Sequence, residues 1–173
     1  MNEFTPENDM FTRRAHEKAY PLVYQQWLPD DYILVDLQGT RADKVADKDF
    51  EVVAWNPDLD TPIIFGVQER FRRIKYAKYR DITIAAKDHS KDDLDKQITR
   101  TAADFIVFGY YDDGKNELGE TVVVNEATLR WLLVTEKVDF DQKTHGSKSV
   151  TFVGVPFDDL IEKGACVFHY QPN

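Results

Sequence analysis

The chain has 173 residues, 42% of them hydrophobic and 13% aromatic, with 31 acidic against 22 basic side chains and a net charge of −9. That composition supports a buried core and excludes general disorder, and no apolar run approaches the roughly 18 residues that cross a bilayer. The charge argues against nonspecific, high-capacity binding of nucleic acid, which draws on many cations, but leaves room for a local site. A single domain over 1–173 is expected, with 1–10 as a flexible N-terminal segment. No basic region precedes an apolar segment at the start, so a cytoplasmic location without membrane contact is expected. Cys166 is the single cysteine; between Ala165 and Val167 it reads as a small core residue.

In chain order, Phe11 to Trp27 has helical character: Phe11, Ala15, Ala19, Leu22 (or Val23) and Gln26 recur near the 3.6-residue period. Pro21 should kink or restart that helix. Pro29-Asp30-Asp31 signals a turn, Tyr32 to Leu37 a short strand, Gln38 to Lys48 a loop and Phe50 to Trp55 a second strand. A turn-rich connection through Asn56-Pro57-Asp58 and Thr61-Pro62 then leads into Ile63 and onward, so the two strands should form a hairpin.

Asp81 to Ala85 alternates as a strand. Ser90 to Ala103 is the best-marked helix, with Ser90 as cap, Asp93 three residues on, and Leu94, Ile98 and Ala102 along one face. Phe105 to Tyr111 is an apolar strand closed by Asp112-Asp113-Gly114. Thr121 to Val124 is β-branched, and Asn125 caps a helix to Val134 (or Thr135). A polar loop over Asp139 to Lys148, a strand over Ser149 to Val155, a short helix over Pro156 to Lys163 closed by Gly164, and a strand over Cys166 to Tyr170 complete the chain. This order predicts an α/β fold with a central mixed sheet flanked by helices.

Positive charge is concentrated in one place. Arg70, Arg72, Arg73, Lys75, Lys78 and Arg80 fall within eleven positions that hold no acid. Just before them, alternation puts Gln68, Arg70 and Arg72 on one side of a strand and Val67, Glu69 and Phe71 on the other. Since Val67 and Phe71 suit a core, Gln68 and Arg70 are expected on the open face. Asp49 lies nineteen residues before Gln68, a separation that a hairpin folds back. An oxygen from Asp49, a carbonyl oxygen from Gln68 and a fixed cation at Arg70 are parts that magnesium-assisted phosphodiester cleavage can use.

Asp49, the hairpin-length gap and V-Q-E-R at 67–70 resemble the PD-(D/E)XK nuclease superfamily, whose core is an Asp at the head of one strand and an acid-x-Lys on the next. The helix over Ser90 to Ala103 and the strand after it fit the order that the family follows, and the resemblance spans roughly Phe11 to Tyr111. It implies a restriction-endonuclease-like sheet, a Mg²⁺-dependent (or Mn²⁺-dependent) endonuclease activity on DNA, a metal held by Asp49 and Gln68, and a supporting carboxylate from the first helix, for which Glu17 is the candidate. The chain departs from the pattern in having Gln68 for the acid and Arg70 for the Lys, and guanidinium does not readily act as a base. A one-residue shift through a bulge would bring in Glu69 as the acid instead. Loss of catalysis with retention of binding is therefore the alternative: a module that uses Arg72, Arg73, Lys75 and Lys78 to hold nucleic acid or an acidic protein. A homodimer is one assembly open to it.

Plainer assignments exist for each feature. Asp49 can be an ordinary strand-head residue, and the arginines can pair with Asp88, Asp92, Asp93 and Asp95. Phe71, Tyr76 and Tyr79 offer stacking surfaces or, more simply, core contacts. The four histidines, His16, His89, His145 and His169, have no ligand spacing and read as ordinary side chains; Trp27, Trp55 and Trp131 read as core.

Overall fold

The computed structural model describes residues 6–40, 48–56, 58–86, 102–135, 137–138, 141–144 and 151–172. The first described element is helix α1 (Pro6–Ala19), which starts five residues earlier than the periodicity suggested and inside the segment expected to be flexible. Phe11, Ala15 and Ala19 are buried along one face, as their spacing requires. At Pro21 the helix does not break. Tyr20–Tyr24 winds as a π-helix and passes into the single turn α2 (Gln25–Trp27). Proline has no N–H and crowds the carbonyl four residues back, so a wider turn accommodates it; the Gln25 N–H reaches the Tyr20 carbonyl, five residues away. The extra residue in that turn brings both Val23 and Tyr24 onto the buried face, and Tyr24 thereby reaches the sheet.

The central sheet has six strands: β1 (Tyr32–Asp36), β2 (Phe50–Asn56), β3 (Thr61–Arg73), β5 (Phe105–Asp112), β6 (Glu117–Asn125) and β9 (Cys166–Tyr170), side by side in that order. All neighbours are antiparallel except β3 and β5. The β2–β3 hairpin forms as the turn residues predicted, with Phe50 opposite Val67. A second, smaller sheet holds β4 (Asp81–Ala86), β8 (Thr151–Pro156) and β7 (Asp141–Thr144). β7 lies where a polar loop was expected; its sequence, Asp-Gln-Lys-Thr, carries no apolar alternation, and it pairs along the edge of β8.

One layer of the core sits under the first helix, where Ala19, Val23 and Tyr24 meet Phe50, Val52, Val67, Val107 and Val123. The other lies between the opposite face of β5 and β6 and the small sheet, closed by α3 (Glu126–Val134) and α4 (Phe157–Glu162). Asn125 caps α3 as its position indicated, its side chain accepting the Thr128 N–H at 2.9 Å. Gly164 follows α4 at φ +73°, a conformation glycine adopts without strain. The helix predicted over Ser90 to Ala103 lies almost wholly outside the described residues. Two of the three tryptophans are not core: Trp55 and Trp131 are exposed, and Trp27 is half-buried against Phe65 and Phe105.

Candidate functional site

β3 is gripped from both sides by aspartates that precede its neighbours. On one side the Asp49 N–H donates to the Val67 carbonyl at 3.0 Å, and Asp49 Oδ2 accepts the Glu69 N–H at 2.6 Å. On the other, Asp104 donates its N–H to the Gly66 carbonyl at 2.8 Å, and its Oδ2 accepts the Gly66 N–H at 2.6 Å. Each carboxylate stands where a backbone carbonyl would be if its strand began earlier, so both satisfy ladder donors at a strand head. The hairpin therefore does bring Asp49 against the motif on β3.

The expectation of an open face at Gln68 does not hold. Gly66, Val67, Gln68 and Glu69 are all buried, because this part of β3 is covered on both faces, and alternation cannot distinguish an open side from a second covered one. Gln68 Oε1 is buried with no hydrogen-bond partner among the described residues, and Arg70, on the same side, is half-buried.

Glu69 points the other way, under the first helix. Its side chain has no exposed surface. The Tyr24 hydroxyl donates to Oε1 at 2.6 Å, and His16 Nδ1 lies 2.9 Å from Oε1 and 3.1 Å from Oε2. The imidazole stacks on Phe50, with centroids 4.4 Å apart and planes 12° from parallel. Burial works against its charged form, but the bond to Glu69 and the charges of Glu69, Asp36 and Asp49 outweigh it and hold the His16 pKa above the ordinary 6.5. Burial first, and then the Glu69 charge, push the Tyr24 hydroxyl well above its usual range.

The helical residue that reaches the motif is thus His16 and not its neighbour Glu17, which is exposed and sits near Tyr111. His16, Tyr24 and Asp36 were not singled out from sequence as site residues. In a regular α-helix a histidine and a tyrosine eight apart lie about 80° apart around the axis, and the wider π-turn at Pro21 brings the two closer into line. As folded, these side chains bond to one another rather than converge on a metal position. Glu69 is committed to two donors, Gln68 points to the opposite face, and among the described residues no group of three His, Cys, Asp or Glu side chains is placed to hold a metal.

The cationic segment divides into two parts. Its arginines are engaged within the chain: Arg72 Nη1 lies 2.8 Å from Asp81, Arg73 pairs with Glu7 at 3.4 Å and sits over Phe11, and Arg80 binds both oxygens of Glu120 and also Asp158. These acids are not the ones proposed from sequence, which lie outside the described residues. The lysines behave differently. They sit on the 3₁₀ turn Ile74–Tyr79, exposed, with Lys75 over the Tyr76 ring at 5.1 Å and Lys78 over the Tyr79 ring at 5.1 Å. Tyr76 and Tyr79 are themselves 36% and 46% exposed, and neither lysine has a carboxylate partner among the described residues.

The fold and these contacts define a mixed α/β protein with a six-stranded mixed sheet flanked by helices. No family model matches the chain, and no curated protein matches it in sequence. Among solved structures it is similar to a nuclease from a fusselovirus, at 12% identity and a TM-score of 0.37, over 91% of this chain and 88% of that one. No helix among the described residues is long and apolar enough to cross a membrane.

Proposed function

We propose that the chain binds DNA through the turn Ile74–Tyr79. The observation that carries this is the pairing of two exposed lysines, each beside an exposed tyrosine, next to arginines that the fold has already neutralised. Lysine ammonium groups free of carboxylates contact phosphates, and tyrosine faces stack on bases without demanding a sequence. An acidic chain with one such turn binds locally rather than along a broad surface. Titrating a fluorescent oligonucleotide at several salt concentrations tests this. The wild type should bind with an affinity that falls as salt rises, and Lys75→Glu with Lys78→Glu should reduce the logarithmic salt slope by about 1.5 to 2. Binding that ignores both salt and these two charges would sink the proposal.

A second reading, Mg²⁺- or Mn²⁺-dependent cleavage of DNA phosphodiester bonds, is favoured by one contact: the hairpin holds Asp49 at the motif on β3, its Oδ2 accepting the Glu69 backbone N–H at 2.6 Å. It requires Glu69 to release His16 and Tyr24. Incubation with plasmid DNA and either ion, with Asp49→Ala as the control, distinguishes it; cleavage that is absent, or that survives the substitution, removes this reading.

A further inference from the structure

The two faces of the β1–β2–β3 half of the sheet are unlike. Under the first helix lie Leu34, Phe50, Val52 and Val67. On the opposite face Ile33 is 65% exposed, Ile64 63%, Trp55 45% and Val35 39%. They are neighbours, not scattered residues: Ile33 pairs with Val53, and Val53 pairs with Ile64, in one row across the three strands. Leu59, 66% exposed in the hairpin turn, extends the patch at its outer end. β-branched and aromatic side chains alternating onto one face are the pattern of a surface that is buried, and contiguous exposed patches of this kind mark interaction sites.

The charges at its margin say what it meets. Asp31 stands just before β1, where its carbonyl accepts the Trp55 N–H, and Asp58 and Asp60 flank Leu59 in the turn; all three are exposed. Glu51 lies within the patch, in register with Val35 on one side and Gly66 on the other. Among the described residues, a cation at the inner end is Lys48, whose stem lies against Gly66. A second copy of the chain would bring the same acidic margin against its own, in a molecule whose net charge is already −9, and like charges across an interface oppose association.

We propose that this face is the docking surface for a protein partner that presents an apolar segment flanked by lysine or arginine. It is separate from the turn proposed to hold DNA and does not depend on that reading. Two synthetic peptides with the same leucine-rich centre, one flanked by lysines and one by glutamates, test it by calorimetric titration into the full chain. The lysine-flanked peptide should bind saturably and the glutamate-flanked peptide should not. Ile33→Ser with Ile64→Ser should weaken binding about ten-fold or more, and Asp58→Asn with Asp60→Asn should weaken it less. Equal binding by the serine variant would show attraction to charge elsewhere and overturn the proposal. Sedimentation velocity supplies a second check: self-association that the serine variant abolishes would make a second copy the occupant and also overturn it. Because both isoleucines are exposed, the serine variant should melt at the wild-type temperature; a large drop would mean that the chain covers this face itself.

Discussion

His16 Nδ1 lies within 2.9 Å of Glu69 Oε1 and 3.1 Å of Oε2, so one histidine of α1 ties down a carboxylate of the central sheet that has no exposed surface. The Tyr24 hydroxyl completes the arrangement at 2.6 Å. Glu69→Ala leaves a buried hydroxyl and an imidazole N–H without their acceptor and should cost about 2–4 kcal/mol in urea denaturation. Glu69→Gln keeps an acceptor oxygen and should cost less. Glu17→Ala, one residue from His16 but exposed, should stay within about 0.5 kcal/mol of wild type. Equal losses for the glutamine and alanine variants at Glu69 would show that the charge, not the acceptor, is what matters.

The same contact sets a pH dependence. The folded pKa of His16 is raised above 6.5, so the folded state binds the proton more tightly than the unfolded one. Its contribution is complete below the unfolded value and is lost as pH rises through the higher folded value. Melting temperature should therefore fall as pH is raised above about 6.5, and His16→Gln should flatten that part of the profile. An unchanged profile in the variant would remove His16 as its source.

On the acid side, among the described residues, Glu120 contributes. Hydrogen bonds from Arg80 first, and from His169 after them, lower its pKa below 4.5 against the opposing effect of burial. The bonds are short: 2.8 and 2.9 Å to Arg80, and 2.8 Å to His169. This contribution is present above the ordinary carboxylate value and disappears as pH falls through the lowered one. Glu120→Gln should lose about 1–2 kcal/mol at neutral pH and show a shallower acid limb than wild type.

Arg72 and the lysines should separate in experiment. Asp81, only 8% exposed at its side chain, pairs with Arg72 at 2.8 Å, and Arg72→Met should destabilise the chain by about 2 kcal/mol. Lys75→Glu and Lys78→Glu touch no carboxylate among the described residues and should leave stability within about 0.5 kcal/mol while changing DNA binding. A chevron or urea series run beside the salt titration reads both effects on the same proteins.

Gly109 is a packing requirement. It faces Thr121 across β5 and β6, and a Cβ there would fall on Thr121 Oγ1, with the Thr121 Cβ and Cγ2 2.9 Å away. Thr121 is fully buried in the sheet and cannot swing aside. Gly109→Ala should cost about 2–3 kcal/mol by overpacking, and Gly109→Ala with Thr121→Ala should recover part of it. No recovery in the double variant would place the strain in the backbone instead.

Local chemistry in the sequence settled the elements whose signals are local. Turn residues between Asn56 and Pro62 specified the hairpin, Asn125 specified the start of α3, and the sheet-and-helix order specified a mixed α/β fold. Alternation also divided Gln68 from Glu69 correctly, but a period of two says only that two residues face apart. It does not say what covers each side, and here both sides are covered. Tertiary structure decided that Glu69 meets His16 and Tyr24, through a π-turn at Pro21 that no periodicity announces. It also decided the fate of the cationic run, because the acids that neutralise the arginines come from positions 9 to 78 residues away. Charge content is written in the sequence, whereas charge pairing depends on which distant elements the packed core brings within a few ångströms.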